Sequence, residues 1–157
     1  MGRQKQEWIM DVKLGIYPGS FNPFHIGHLD IVRQAMRVFD KVIVVRAINP
    51  DKKVAQAILP VKFLTNMGVD NLADDGLVTD LIKGYESGGK NVTLIRGLRS
   101  GADLGYEQNL VAFMRNMHPE IKVVFFLCDP KFQHISSSAL RGIREFSDAE
   151  YRKYVVE

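Results

Sequence analysis

A single α/β domain built on a doubly wound parallel sheet is the architecture this sequence predicts. Three observations predict it. Short apolar runs alternate with amphipathic stretches along the whole chain, as in repeated βα units. Those runs are continuous and rich in β-branched residues, as strands buried on both faces are. Loops rich in glycine, proline or basic residues follow the runs, and in such sheets the ligand edge lies beyond the carboxyl ends of the strands.

Val12–Tyr17, VKLGIY, is the first strand. A helix starting near Ile26 follows, with Leu29, Val32, Met36 and Phe39 on one face at helical spacing. Lys41–Ile48, KVIVVRAI, is the second strand, and NPDKK after it is a loop. The stretch 59–72, LPVKFLTNMGVDNL, reads as helical, with Pro60 tolerated in a first turn. LVTDLI (77–82) reads as a short strand running into a helical turn, and ESGGKN breaks the chain. Val92–Ile95 is a strand, RGLRSGAD a loop and 104–117, LGYEQNLVAFMRNM, a helix. Ile121–Leu127 is the fifth strand. The loop CDPKFQH leads to a helix beginning at ISSS, and DAEYRKYVVE (148–157) reads as a last helix. Residues 1–11 are expected to form a flexible N-terminal extension, and 12–157 the domain.

The 157 residues suffice for one real core, and 46% hydrophobic with 25% charged residues is ordinary globular composition. A net charge of +3 and a pI near 9.0 suit anionic ligands without demanding nucleic acid. Cys128 is the single cysteine, so neither a disulfide framework nor a CxxC metal site is written in the chain. No apolar run is long enough to span a bilayer and the start lacks a secretory apolar region. The expectation is a cytoplasmic protein with no nucleic-acid or membrane partner.

Four loops, at 18–28, 49–53, 96–103 and 128–138, follow strands and would gather at one edge. In YPGSFNPFHIGH, His25 and His28 straddle a helix start, whose unpaired N–H groups and partial positive charge favour phosphate. Gly19 and Gly27 allow close backbone approach, and each imidazole offers an N–H donor. A plain helix cap is the alternative. Zinc would need a third ligand, which the neighbouring sequence lacks, so no metal ligands are assigned. In ISSSALR, Ser136, Ser137 and Ser138 stand where a helix begins. One serine suffices for a cap, and three after Lys131, Phe132 and His134 read equally as an anion site. Arg96 and Arg99 flank Gly97 at a strand end, where phosphate binding outweighs a solvated role.

These stretches occur in the order and spacing of the bacterial phosphopantetheine adenylyltransferases. The sequence resembles that family of HxGH nucleotidyltransferases from about Val12 to Phe146, and LIRGLRSGADLGYEQNL is the most specific segment. The resemblance implies a Rossmann-like nucleotidyltransferase fold. It implies an enzyme of coenzyme A biosynthesis that transfers the adenylyl group of ATP to 4′-phosphopantetheine, giving dephospho-coenzyme A and pyrophosphate, with Mg2+ as cofactor and a homohexamer as assembly. Ser20, Phe21, His25, His28, Gly97, Leu98, Arg99 and Glu107 would then bind ATP, with Phe132, Gln133, His134, Ile135, Ser136, Ser137 and Ser138. Ser20, Lys52, Leu81, Ile82 and Arg96 would bind the acceptor. His28, Lys52 and Arg99 would be catalytic.

The chain departs from the family at Asn22, where an acid is usual, at Gly105, and through AILPVKFL in place of an acidic stretch. Those departures admit another phosphorylated acceptor, such as nicotinamide mononucleotide, or an inactive nucleotide-binding scaffold. A pantetheine arm needs an elongated apolar groove, and Leu77, Leu81 and Ile82 are expected to wall it. A nicotinamide ring would ask for aromatic stacking, for which that stretch offers only Tyr85.

Overall fold

The computed structural model describes residues 11–49, 51 and 58–157. Five parallel strands run β1 (Lys13–Gly19), β2 (Lys41–Ala47), β3 (Asp70–Asp74), β4 (Asn91–Leu98) and β5 (Val123–Leu127), in the spatial order β3-β2-β1-β4-β5. The helices are α1 (Ile26–Ala35), α2 (Val61–Asn66), α3 (Val78–Ser87), α4 (Gly101–Met117), α5 (Ser137–Phe146) and α6 (Asp148–Arg152), with a 3-10 turn at Pro130–Phe132. The expected doubly wound sheet is therefore present.

Strand alternation divides the core in two. Tyr17, Val42, Val44 and Ile95 face one side and pack with Leu29, Val32 and Ala35 of α1 and Leu64 of α2. Leu14, Ile16, Ile43, Val45, Val92 and Leu94 face the other and pack with Ile82 of α3 and Met114 of α4. Continuous apolar runs in β1, β2 and β4 follow from this two-sided burial.

Two elements differ from the sequence expectation. The helix expected over 59–72 is confined to Val61–Asn66, and Asp70–Asp74 is the third strand, paired in register with Ile43–Ala47. DNLAD is a half-exposed edge strand with no apolar run, so only its pairing with β2 makes it a strand. The strand expected at 77–82 is the start of α3. Val78, Leu81, Ile82 and Tyr85 fall at i, i+3, i+4 and i+7 and pack on the second core face, a helical period that outweighs the apolar content. In addition, α4 begins at Gly101 instead of residue 104, and α6 stops at Arg152. Beyond it Val155 bridges antiparallel to His25. Residues 1–10 lie outside the described set, so the extension expected at 1–11 is described only at Asp11.

Strands β1 and β4 are paired from Lys13 with Asn91 to Ile16 with Leu94. Past that point the two carboxyl ends are no longer paired. From β1 the chain winds toward β2 on one side, while β4 lies on the other. The gap is thus the topological switch point, where a ligand crevice is expected.

Candidate active site

A cleft of about 720 Å3 opens at this gap. Tyr17–Gly19 of β1 and Arg96–Leu98 of β4 form its floor, and the first turns of α1, α4 and α5 converge on it. Of the residues expected to bind ATP, Ser20, Phe21, His25, His28, Gly97, Leu98, Arg99, Glu107, Phe132, Ile135 and Ser136–Ser138 line it, as does Arg96 from the acceptor set. Three distant stretches of sequence, 17–31, 96–107 and 128–141, therefore meet in one place.

The two histidines are fixed by their own backbone. His25 is the N-cap of α1, and its Nδ1 accepts from the Gly27 N–H at 3.1 Å. His28 Nδ1 accepts from the His25 N–H at 3.2 Å, which completes a capping box. A neutral imidazole that accepts at Nδ1 carries its proton at Nε2. Both rings thus keep one Nε2–H donor. They stack with centroids 3.7 Å apart and planes 24° apart. Burial, then the Arg99 charge, lowers the His25 pKa to about 4. Burial, then His25 and Arg99, holds His28 well below its ordinary value. A side chain at position 27 would place Cβ 3.0 Å from the His25 ring, so Gly27 leaves room for the stack.

This accounting changes the expected role of the α1 terminus. The Ile26 N–H donates to the Tyr154 carbonyl at 2.9 Å, and the Gly27 N–H goes to His25. Protein groups take those donors, so anion recognition at this helix passes to the imidazole Nε2–H groups and the helix dipole. Phe21 packs edge-on against His28, with centroids 4.9 Å apart, and against Tyr17 at 5.2 Å. It is held at φ +46, a left-handed conformation costing roughly 1–2 kcal/mol in a non-glycine residue.

Arg96 and Glu107 form a bidentate pair across the cleft wall. Nε donates to Oε2 at 2.7 Å and Nη2 to Oε1 at 2.8 Å. Burial alone would lower the Arg96 pKa, but the hydrogen bonds and charge of Glu107 outweigh it and raise it. Glu107, expected in the ATP set, is 7% exposed, and its carboxylate is paired with Arg96. Arg99 is held by Asp103, whose Oδ2 accepts the Arg99 N–H at 2.8 Å. Burial opposes ionisation of Asp103, yet the Arg99 N–H and guanidinium hold its pKa below the ordinary value.

The three serines divide their work. Ser136 Oγ caps α5 by accepting from Ala139 N–H at 3.1 Å. Ser137 Oγ donates to the Pro23 carbonyl at 3.0 Å, and Ser136 and Ser138 hydroxyls pair at 3.3 Å. Arg141 Nη1 donates to the Asn22 carbonyl at 2.6 Å and lines the same cleft.

Other expected residues fall elsewhere. Gln133 and His134 are exposed beside the cleft and do not line it. Lys52 lies outside the described residues. Ile82 is 1% exposed in the second core, with Leu81 packed against it, so neither side chain walls the cleft. Of that stretch Leu77 is exposed, at the N-cap of α3. The scarcity of aromatics inferred from that stretch does not extend to the cleft, where Tyr17, Phe21, Tyr106 and Phe132 all take part. Sequence reasoning missed Tyr17, Asp103, Tyr106 and Arg141. For Asp103 and Tyr106 a signal existed, since they stand four and seven residues beyond Arg99, on the face of a helix that opens at that loop.

The cytidylyltransferase-like family model matches residues 16–143. The phosphopantetheine adenylyltransferase of Clostridium novyi (strain NT) is 34% identical over 142 residues, covering 86% of this chain and 85% of its own. That of Alkaliphilus metalliredigens (strain QYMF) is 34% identical over 146 residues, covering 86% and 87%. Plasmodium falciparum nicotinic acid mononucleotide adenylyltransferase complexed with NaAD superposes with a TM-score of 0.56 at 17% identity, covering 92% of this chain and 90% of that one. The same enzyme complexed with APC gives 0.57 at 16%, with the same coverage. At that identity the structural likeness shows a shared fold.

Proposed function

The chain belongs to the cytidylyltransferase-like family and, within it, to the phosphopantetheine adenylyltransferases, and from that membership we propose that it transfers the adenylyl group of ATP to 4′-phosphopantetheine. An oxygen of the acceptor phosphate attacks the α-phosphorus, the bond to the bridging oxygen breaks, and pyrophosphate leaves with dephospho-coenzyme A as product. The acceptor phosphate is itself the nucleophile, so no covalent enzyme intermediate is needed. The protein's task is to align two anions and stabilise charge that develops between them.

The observation that carries this reading is the locked histidine stack in the switch-point cleft. Two neutral rings with backbone-fixed Nε2–H donors hydrogen-bond phosphate oxygens without adding a proton that could be transferred. His28 serves the transferring phosphoryl group, and Arg99 with Ser136–Ser138 serves the rest of ATP. Arg96, preorganised by Glu107, and Lys52 hold the acceptor phosphate.

No three His, Cys, Asp or Glu side chains among the described residues converge to hold a metal ion. Magnesium in this reading arrives with the triphosphate, whose charge it shields. A homo-oligomer, hexameric by resemblance, would cover the exposed Tyr106, Phe113 and Met117 of α4. In this reading the enzyme works in the cytoplasm; among the described residues no helix is long and apolar enough to cross a membrane.

The test is pyrophosphate release from ATP and magnesium with 4′-phosphopantetheine and with nicotinamide mononucleotide, side by side. Higher catalytic efficiency with 4′-phosphopantetheine is expected. Preference for the mononucleotide would overturn the acceptor, and release with neither would leave a nucleotide-binding scaffold.

A further inference from the structure

The C-terminal segment is drawn across the histidine loop. The Ile26 N–H donates to the Tyr154 carbonyl at 2.9 Å, and the Val156 N–H donates to the Phe24 carbonyl at 3.1 Å. These two bonds flank an antiparallel bridge between His25 and Val155. Side chains reinforce it. Tyr154, Val155 and Ile26 pack on the small cluster of Ile135, Leu140 and Tyr151, while Val156 packs against the core that holds Phe24. Arg152 adds a contact at 3.2 Å from its Nη1 to Glu157 Oε1.

What this bridge holds is the piece of backbone that orients both imidazoles. His28 Nδ1 is placed by the His25 N–H, and His25 Nδ1 by the Gly27 N–H. Residues 24 and 26, on either side of His25, are the ones tied to the C-terminal segment. The loop before them also contains Phe21 at a strained φ, so local preference alone does not set its path.

We propose that Tyr154–Val156 is a positioning strap that holds the His25–His28 stack in the orientation needed for phosphoryl transfer. The strap touches no substrate and acts through the histidines. The inference rests on the adenylyltransferase reading for its kinetic consequence but not for its structural one. Loosening the strap lets the rings tilt and leaves the other ATP contacts in place. The loss therefore falls on the transition state more than on nucleotide binding.

Two proline variants in the full-length chain cut the strap from opposite sides. Val156→Pro removes the donor to Phe24. Ile26→Pro removes the donor to Tyr154 at the first position of α1, where proline is tolerated, and His25 before it already has the extended backbone (φ −129, ψ 173) that proline demands. Each is expected to lower kcat about tenfold or more, with KM for ATP within about twofold of wild type. The double variant is expected to do little more than either single one, because both cut the same bridge. Val156→Ala, which keeps the N–H, is expected to restore kcat. Nitrogen-detected titration of the substrate-free protein reads the imidazoles directly, with an Nε2–H tautomer for both rings in wild type and averaged signals in the proline variants. Wild-type kcat in Ile26→Pro, or in a folded Val156→Pro, overturns the strap, as does a loss confined to KM. If wild type releases no pyrophosphate, the functional reading fails, and the imidazole signals still decide whether the strap orders the stack.

Discussion

His28 is placed by two neighbours that cost it its charge. The His25 backbone fixes its tautomer, and burial beside His25 and Arg99 keeps it neutral. A neutral donor aimed at a developing charge contributes most at the transition state, since it binds the ground state with one ordinary hydrogen bond. His28→Ala is accordingly expected to lower kcat by about 10²–10³-fold with a small change in KM for ATP. Steady-state kinetics with saturating acceptor check this, and an unchanged kcat would leave His28 as a helix-end residue only. Arg96 differs in kind. Its charge is already paired with Glu107, so it enters the reaction as an oriented group instead of a mobile one.

Among the elements, α5 governs how the cleft closes on the histidine side. Its N-terminal half is tied to the loop before α1 by the Ser137 hydroxyl on the Pro23 carbonyl and by Arg141 on the Asn22 carbonyl. Neither tie is a capping contact, because Ser136 supplies the cap. Ser137→Ala should therefore leave α5 helical and loosen its fit against the loop. The expected cost is about 1 kcal/mol of stability, from one net hydrogen bond, and a several-fold rise in KM for ATP. Denaturant unfolding together with ATP saturation curves measures both. A change in neither would mean that Arg141 alone holds the contact.

For the whole molecule, the buried histidines make stability depend on pH. The native pKa of His25 is about 4, against 6.5 in the unfolded chain, and His28 shifts in the same direction. Between those values the unfolded state binds more protons, so unfolding free energy falls as pH drops from about 6.5 to about 4. One such group contributes a slope of at most about 1.4 kcal/mol per pH unit in that window. His25→Asn keeps an N-cap side chain and removes the titration. Its unfolding free energy is expected to vary less steeply across the window than that of wild type. An equal slope would show that His25 is solvated in the native state.

The sequence by itself determined the parallel sheet. β1, β2 and β4 are buried on both faces, and only continuous apolar runs satisfy that condition. It also determined most of the cleft, because the GSFNPFHIGH, RGLRS and ISSS stretches each follow a strand or begin a helix, and all three lie at the switch point. The tertiary structure alone decided the third strand, since DNLAD has no apolar run and becomes a strand only by pairing with β2. Tertiary packing likewise took Leu81 and Ile82 into the core and paired Glu107 with Arg96. The strap over His25 belongs with these, because a bridge between residues 25 and 155 is backbone hydrogen bonding at long range. Backbone amides are the same in every residue but proline, so no side-chain pattern announces which two distant segments will share them.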